Sequence, residues 1–312
     1  MEKVVVIVLP VFALIALGFL AGRFRWVSEA TPKGLADFTF NLAVPAMLFR
    51  TMAVAHLPQV APWKLWGAYF GSAFLIWMIA TLNARLALRR PAADGAPIAM
   101  SSAFGNVVML GIPLSLSALG TDAAGPIAVV VSLHTPVLWL VASLHMSLAA
   151  AGEHRDRTSI LATLVADLMR NPIIMSIAAG TLWRLTGLGL APVADRILVL
   201  LAQASVPAAL VALGLSLVKF EIKGQAPTLV SIVVLKLAVM PVIAWLIATE
   251  LLGLPPIAAG VVIIFAAMPT GANAFLFATK HQRAVNSASG AVALGTALSI
   301  ATAMIAVYVV GP

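Results

Sequence analysis

Lys236 lies inside the apolar run Val233-Val234-Leu235-Lys236-Leu237-Ala238, and His134 lies inside another, Ser132-Leu133-His134-Thr135-Pro136. An ammonium in the middle of such a run costs about 2.5–3.5 kcal/mol on membrane-insertion scales, so residues of this kind generally face a bundle interior and serve function. The competing role for Lys236 is snorkelling to an interface. For His134 the choice is between a hydrogen bond to helix backbone freed by Pro136 and a proton relay. The 11 acidic residues all fall in loops or near the ends of apolar runs. No midspan carboxylate is therefore at hand to neutralise Lys236 or to hold a coupling cation. Three partners remain open for Lys236: backbone carbonyls, the carboxylate of a bound ligand, or reversible loss of its proton.

Two further clusters carry no charge but break helices. One reads Ser101-Ser102-Ala103-Phe104-Gly105-Asn106-Val107-Val108-Met109-Leu110-Gly111-Ile112-Pro113, the other Ala266-Ala267-Met268-Pro269-Thr270-Gly271-Ala272-Asn273-Ala274-Phe275. Proline removes a helix hydrogen bond and glycine weakens the turn. Backbone freed at membrane depth is tolerated where it is buried in protein or lines a wet cavity. Two such breaks facing each other would aim half-helix N-termini, partial positive ends, at one point, which suits an anion. Asn106, Gly111, Pro113, Pro269, Gly271 and Asn273 are the candidate site residues from these clusters, with Lys236 and His134 beside them. The other use of paired prolines is a pair of kinks for packing.

The elements that must position these residues follow from composition. Of 312 residues, 62% are hydrophobic and 10% charged, with a mean hydropathy of +1.06. A soluble domain is roughly 45–50% apolar and about 25% charged, so bilayer must replace water around most of this chain. Ten apolar segments can be drawn, at 4–22, 36–54, 65–88, 97–119, 126–150, 168–186, 197–218, 228–252, 257–279 and 288–310. Each approaches the ~20 residues a membrane-crossing helix needs. Arg23 and Arg25 follow the first run directly, and no small-residue cleavage site precedes them, which predicts a retained span rather than a signal peptide. The net charge of +8 reads as loop charge rather than a nucleic-acid surface. Connections after odd-numbered spans hold thirteen Lys/Arg and the opposite side five, which predicts a cytoplasmic loop at Glu153–Arg157 and both termini outside the cytoplasm.

Pro10 and Pro172, Gly18 and Gly180, and Pro45 and Pro207 all share an offset of 162 residues. The chain thus divides into two five-span units, 1–152 and 153–312. Five is odd, so the second unit enters the membrane from the opposite side, an inverted repeat of the kind that places a binding site at the midplane of transporters. The 162 offset does not superpose Asn106 on Asn273, so the two broken spans correspond as segments only. Gly18-Phe19-Leu20-Ala21-Gly22 is a small-residue pattern for helix packing.

Gly105-Asn106-Val107-Val108-Met109-Leu110-Gly111-Ile112-Pro113-Leu114 resembles the fourth-span signature of the auxin efflux carrier family. Met268-Pro269-Thr270-Gly271, with Phe275-Leu276-Phe277-Ala278 after it, resembles the ninth-span signature. Asn41-Leu42-Ala43-Val44-Pro45 and Ala212-Leu213-Gly214-Leu215-Ser216-Leu217 are similar to the second- and seventh-span motifs. The short central loop resembles that of the family's bacterial branch of malonate- and malate-permease-like proteins. The resemblance implies an all-α polytopic membrane protein of ten transmembrane helices in two inverted five-helix repeats. Helices 4 and 9 would cross at broken points, as in sodium/proton antiporter-like or bile-acid-transporter-like architectures. Helices 1, 2, 6 and 7 would form a scaffold, and helices 3–5 and 8–10 a transport domain moving against it as an elevator. Asn41 joins the site by its place in the second-span motif.

The expected activity is secondary transport of small organic anions, whether malonate, malate or an auxin-like aromatic acid, across a plasma (bacterial inner) membrane. The partners expected are that anion and the bilayer, with a homodimer compatible and nucleic acid excluded. No cofactor is expected, and the absence of cysteine excludes disulfides and thiolate metal sites. An intramembrane protease would need a midspan Asp pair, a Ser–His dyad or a zinc motif, and the sequence carries no midspan Asp and no such motif. A channel, or a ligand sensor built on a transporter fold, is the alternative.

Overall fold

In the computed structural model the described residues are 2–54, 60–149, 172–220 and 226–311. The expected loop at Glu153–Arg157 and the start of the sixth apolar segment lie outside them. Apart from turns and connecting loops, the described residues are helical, with one isolated antiparallel bridge between Gly105 and Thr270.

The helices are α1 (Glu2–Arg23), α2 (Thr31–Phe38), α3 (Val44–Val54), α4 (Pro62–Leu86), α5 (Gly95–Ala103), α6 (Ile112–Leu119) and α7 (Ala124–Ala149). They continue as α8 (Pro172–Leu185), α9 (Pro192–Leu217), α10 (Ala226–Val234), α11 (Met240–Trp245), α12 (Pro256–Ala267), α13 (Ala272–His281) and α14 (Val285–Val310). Among the described residues, 6 stretches are long and apolar enough to cross a membrane: Val4–Arg23, Pro62–Leu86, Thr121–Ala149, Pro192–Leu217, Ala226–Leu251 and Val285–Val310. The chain is a multi-pass membrane protein. The four other expected segments fall short for separate reasons. The fourth and ninth are broken near their centres, into α5 and α6 and into α12 and α13. The second carries the polar residues Asp37, Thr39, Asn41, Arg50 and Thr51 along its length, and the sixth begins outside the described residues.

Proline places several of these interruptions. Its ring clashes with the carbonyl four residues back, and it donates no N–H. Wider π-turns at Thr39–Ala43, Val107–Gly111 and Leu235–Val239 each end two residues before a proline, at Pro45, Pro113 and Pro241. Such single-turn bulges re-aim side chains and are frequent at functional sites. Here they carry Asn41, the residues after Asn106, and Lys236.

The two half-helices that precede the breaks are the innermost elements. Every residue of α5 is buried, as is α12 from Ala258 onward. A helix that is apolar on all faces has no lipid-facing or water-facing side. Around them, α1 packs along α9, and α3 packs on α8 and α9. Glycine sets these distances. An added Cβ at Gly18 would lie 2.3 Å from the Val211 carbonyl oxygen, one at Gly214 2.0 Å from that of Ile15, and one at Gly180 2.4 Å from that of Phe49. Arg50 and Asp195, paired at 2.7 Å, tie the end of α3 to the start of α9. The outer faces expose Leu9, Leu17, Met78, Leu82, Leu298 and Ile305, as a lipid-facing surface requires.

Candidate functional site

The chain leaves α5 in an extended conformation at Phe104 and leaves α12 in an extended conformation at Met268. These two short stretches run antiparallel through the protein interior. The Asn106 N–H donates to the Pro269 carbonyl at 2.7 Å, and the Gly271 N–H donates to the Phe104 carbonyl at 2.9 Å. The Thr270 hydroxyl donates to the Ser101 carbonyl at 2.7 Å. An unpaired backbone group at this depth would cost several kcal/mol, and the crossing satisfies both strands at once. It also demands small residues. A Cβ on Gly271 would stand 3.0 Å from the Phe104 ring and 3.1 Å from the Gly105 oxygen. One on Gly105 would stand 3.2 Å from the Phe265 oxygen and 3.4 Å from the Lys236 Nζ.

Two buried side chains meet this crossing. His134 of α7, 1% exposed, has its Nε2 3.2 Å from the Gly105 carbonyl oxygen. That carbonyl can only accept, so Nε2 carries the proton, and Nδ1 has no partner among the described residues. The backbone that His134 serves is thus the broken fourth segment, not the turn of its own helix freed by Pro136. Lys236, fully buried, donates from Nζ to the Ala266 carbonyl at 2.7 Å and to the Met240 sulfur at 3.1 Å. Snorkelling is excluded by this position. Among the described residues no carboxylate pairs with it.

In front of the crossing lies a cavity of about 380 Å³. Its polar groups come from Asn41, Asn106, His134, Thr135 and Asn273, and apolar walls from Phe40, Phe104, Met109 and Leu276 face them. Gly105 and Gly271 form part of its floor. Val107, Val108 and Met109 open one helix here, and Ala272 and Asn273 open another. The first N–H groups of a helix have no partner within it, so both helices turn donors and their positive ends toward the same space. No carboxylate lines the cavity among the described residues, nor do three potential metal ligands gather anywhere among them.

Of the residues singled out by sequence, Asn41, Asn106, His134, Gly271 and Asn273 share this cavity. Gly111, Pro113, Pro269 and Lys236 do not line it. Gly111 gives close passage to the Phe265 ring, at 3.0 Å from an added Cβ, Pro113 is buried in the first turn of α6, and Pro269 supplies the carbonyl for Asn106. Phe104, Thr135 and Tyr69 escaped sequence reasoning. The Phe104 ring lies tilted 4.3 Å from the His134 ring, and Tyr69 meets the same ring edge-on at 5.5 Å with no partner for its hydroxyl among the described residues. Aromatic and threonine side chains are ordinary within apolar spans, and nothing in the pattern marks these three.

A multi-pass helical protein with two crossed helix breaks at its centre and a cavity over them has the make-up of a membrane transporter. The chain belongs to the membrane transport protein family, that of the auxin efflux carriers, whose sequence model matches residues 3–307. It is 26% identical over 311 residues, covering 99% of this chain and 97% of the relative, to the Putative malonate transporter of Rhizobium meliloti (strain 1021). A shorter stretch of 75 residues, 24% of this chain and 9% of the relative, is 29% identical to the Lysosomal cholesterol signaling protein of Mus musculus.

Proposed function

We propose that this protein is a secondary active transporter of small organic anions, of the class of malonate, malate or an auxin-like aromatic acid, and that the cavity over the helix crossing is its substrate site. The observation that carries this reading is the cavity itself. Two helix N-termini and the amides of Asn41, Asn106 and Asn273 converge on it, with no carboxylate among its described lining residues. Such a set of donors and partial positive ends favours a carboxylate over a cation or a neutral apolar molecule. The apolar walls suit the body of the same ligand. The name of the Rhizobium relative agrees with an organic acid as cargo.

The proposed architecture is ten membrane spans in two inverted five-span repeats. Residue pairs in contact support it. Gly18 meets Val211 and Gly180 meets Phe49, and shifting either member by 162 residues converts one pair into the other. One contact used twice in opposite senses is the mark of a two-fold axis lying in the membrane. The Asn106–Pro269 and Gly271–Phe104 hydrogen bonds flank the antiparallel bridge between Gly105 and Thr270 and join the fourth segment to the ninth. The division into a scaffold of helices 1, 2, 6 and 7 and a moving unit of helices 3–5 and 8–10 accords with the tight packing of α1 on α9 and of α3 on α8. In this reading the crossing and its cavity ride with the moving unit in an elevator-type exchange of access. The protein resides in the bacterial inner membrane with both termini on the non-cytoplasmic side.

Thermal unfolding of the purified protein with malonate, malate and indole-3-acetate tests the site. A ligand selective for the native state adds about 2.7 kcal/mol at a hundred times its Kd. At least one of these acids raises the melting temperature of the wild type, and Asn106→Leu removes the rise. Equal rises in wild type and variant contradict the placement of the site.

A further inference from the structure

The carbonyls released where the helices break are taken up by the protein's own donors. Those of Ser101, Phe104, Gly105 and Pro269 accept from Thr270 Oγ1, the Gly271 N–H, His134 Nε2 and the Asn106 N–H. At the end of α12, Ala266 accepts from Lys236 at 2.7 Å and Ala267 from Thr302 at 3.4 Å. A neutral donor would satisfy Ala266 as well as an ammonium does, so the hydrogen bond alone does not account for a lysine. Its charge is the remaining property. The crossing joins two helix C-termini to two N-termini, about half a charge each and of opposite sign, so these ends cancel among themselves. When Lys236 is protonated, its charge is left over. It sits beneath Gly105 on the face away from the cavity, fully buried, with no paired carboxylate among the described residues. The other ionisable groups facing this region are His134, on the same Gly105 carbonyl, and Tyr69 against the His134 ring.

We propose that Lys236 is a resident cation of the transporter: it positions the end of α12 and gives the empty crossing a net positive charge that a bound anion offsets through the Gly105 floor. This rests on the carrier reading above. Lys236 touches no substrate and is a positioning residue. Its contacts lie on the α12 break, on Met240 and beside Gly105, all within the unit proposed to move, so the charge travels with the cavity. The empty carrier therefore reorients as a charged species and responds to membrane potential with no substrate present.

The test is substrate-free charge movement. The full chain is reconstituted in planar bilayers, and transient currents are recorded on voltage steps without any organic acid. The wild type gives a transient charge movement. Lys236→Gln, which keeps a donor for the Ala266 carbonyl but not the charge, loses it, and Lys236→Met loses it too. Lys236→Arg retains it if the variant folds, as judged by size-exclusion profile and melting temperature. A purely structural lysine predicts instead that Gln behaves as wild type. The proposal is overturned by wild-type protein that carries out counterflow of malonate, malate or indole-3-acetate yet shows no such transient, or by a folded Gln variant whose transient is unchanged. Wild-type protein that moves none of these acids contradicts the carrier reading, and this one falls with it; uptake is recorded separately, so the two failures are told apart.

Discussion

Asn106 and Asn273 stand at the openings of two different helices and share one cavity, although the 162-residue offset does not relate them. Loss of a hydrogen bond to a charged ligand costs about 1.5–3 kcal/mol, so Asn106→Leu and Asn273→Leu each lower transport in proteoliposomes by about tenfold or more with expression preserved. Wild-type transport by both variants would remove the site from the crossing. Gly105 makes a second test at this scale. Its missing Cβ leaves room for both the Phe265 carbonyl and the Lys236 ammonium, at 3.2 and 3.4 Å. Gly105→Ala therefore displaces the floor of the cavity and lowers transport, whereas Gly67→Ala, which meets only a Leu252 methyl at 3.6 Å, leaves it unchanged. Lys236, His134 and the asparagines were legible in the sequence because polar groups are anomalous in apolar runs. Their partners were not, since the Ala266 and Gly105 carbonyls become acceptors only once the helices break, and a carbonyl carries no sequence signal.

Breaks in the fourth and ninth segments follow from local chemistry, because glycine and proline act on their own turn whatever surrounds them. The π-turns are less accessible to sequence. Pro45, Pro113 and Pro241 are each preceded by one, while Pro10, Pro136 and Pro207 sit inside regular α-helix. Helix-on-helix contacts lie between these cases. The Gly18–Gly22 pattern reads as packing, and Gly18 does meet α9, but its partner surface around Val211 and Gly214 is set by the fold. Gly214→Ala puts a methyl group 2.0 Å from the Ile15 oxygen and forces α1 from α9. Overpacking of this kind costs about 1–3 kcal/mol, so the melting temperature in detergent falls by several degrees. An unchanged melting point would contradict the close approach of these helices.

At the scale of the whole molecule, composition alone identifies a membrane protein, since 62% hydrophobic residues cannot be covered in water. Length and hydropathy of single helices recover 6 candidate spans. The expected fourth and ninth segments are lost to this measure because they are broken, the second because it carries Asp37, Thr39, Asn41 and Arg50, and the sixth because it begins outside the described residues. Orientation rests on charge. The thirteen-to-five count of Lys/Arg predicts that the segment containing Ser159, outside the described residues, is cytoplasmic and that Gly311 is not. The chain has no cysteine, so single cysteines give a clean readout: an impermeant maleimide labels Gly311→Cys in intact cells and leaves Ser159→Cys unlabelled. The reverse pattern would invert the topology.

Counterflow in proteoliposomes bears most directly on the proposed carriage of small organic anions through the crossing. Vesicles holding the wild-type protein are loaded with unlabelled malonate, malate or indole-3-acetate and diluted into a trace of the same labelled acid. Label accumulates transiently above equilibrium for at least one acid, saturably, and Asn106→Leu reduces this about tenfold or more. Label that only equilibrates, at a rate linear in concentration and equal in the variant, would contradict a carrier and indicate an open pore.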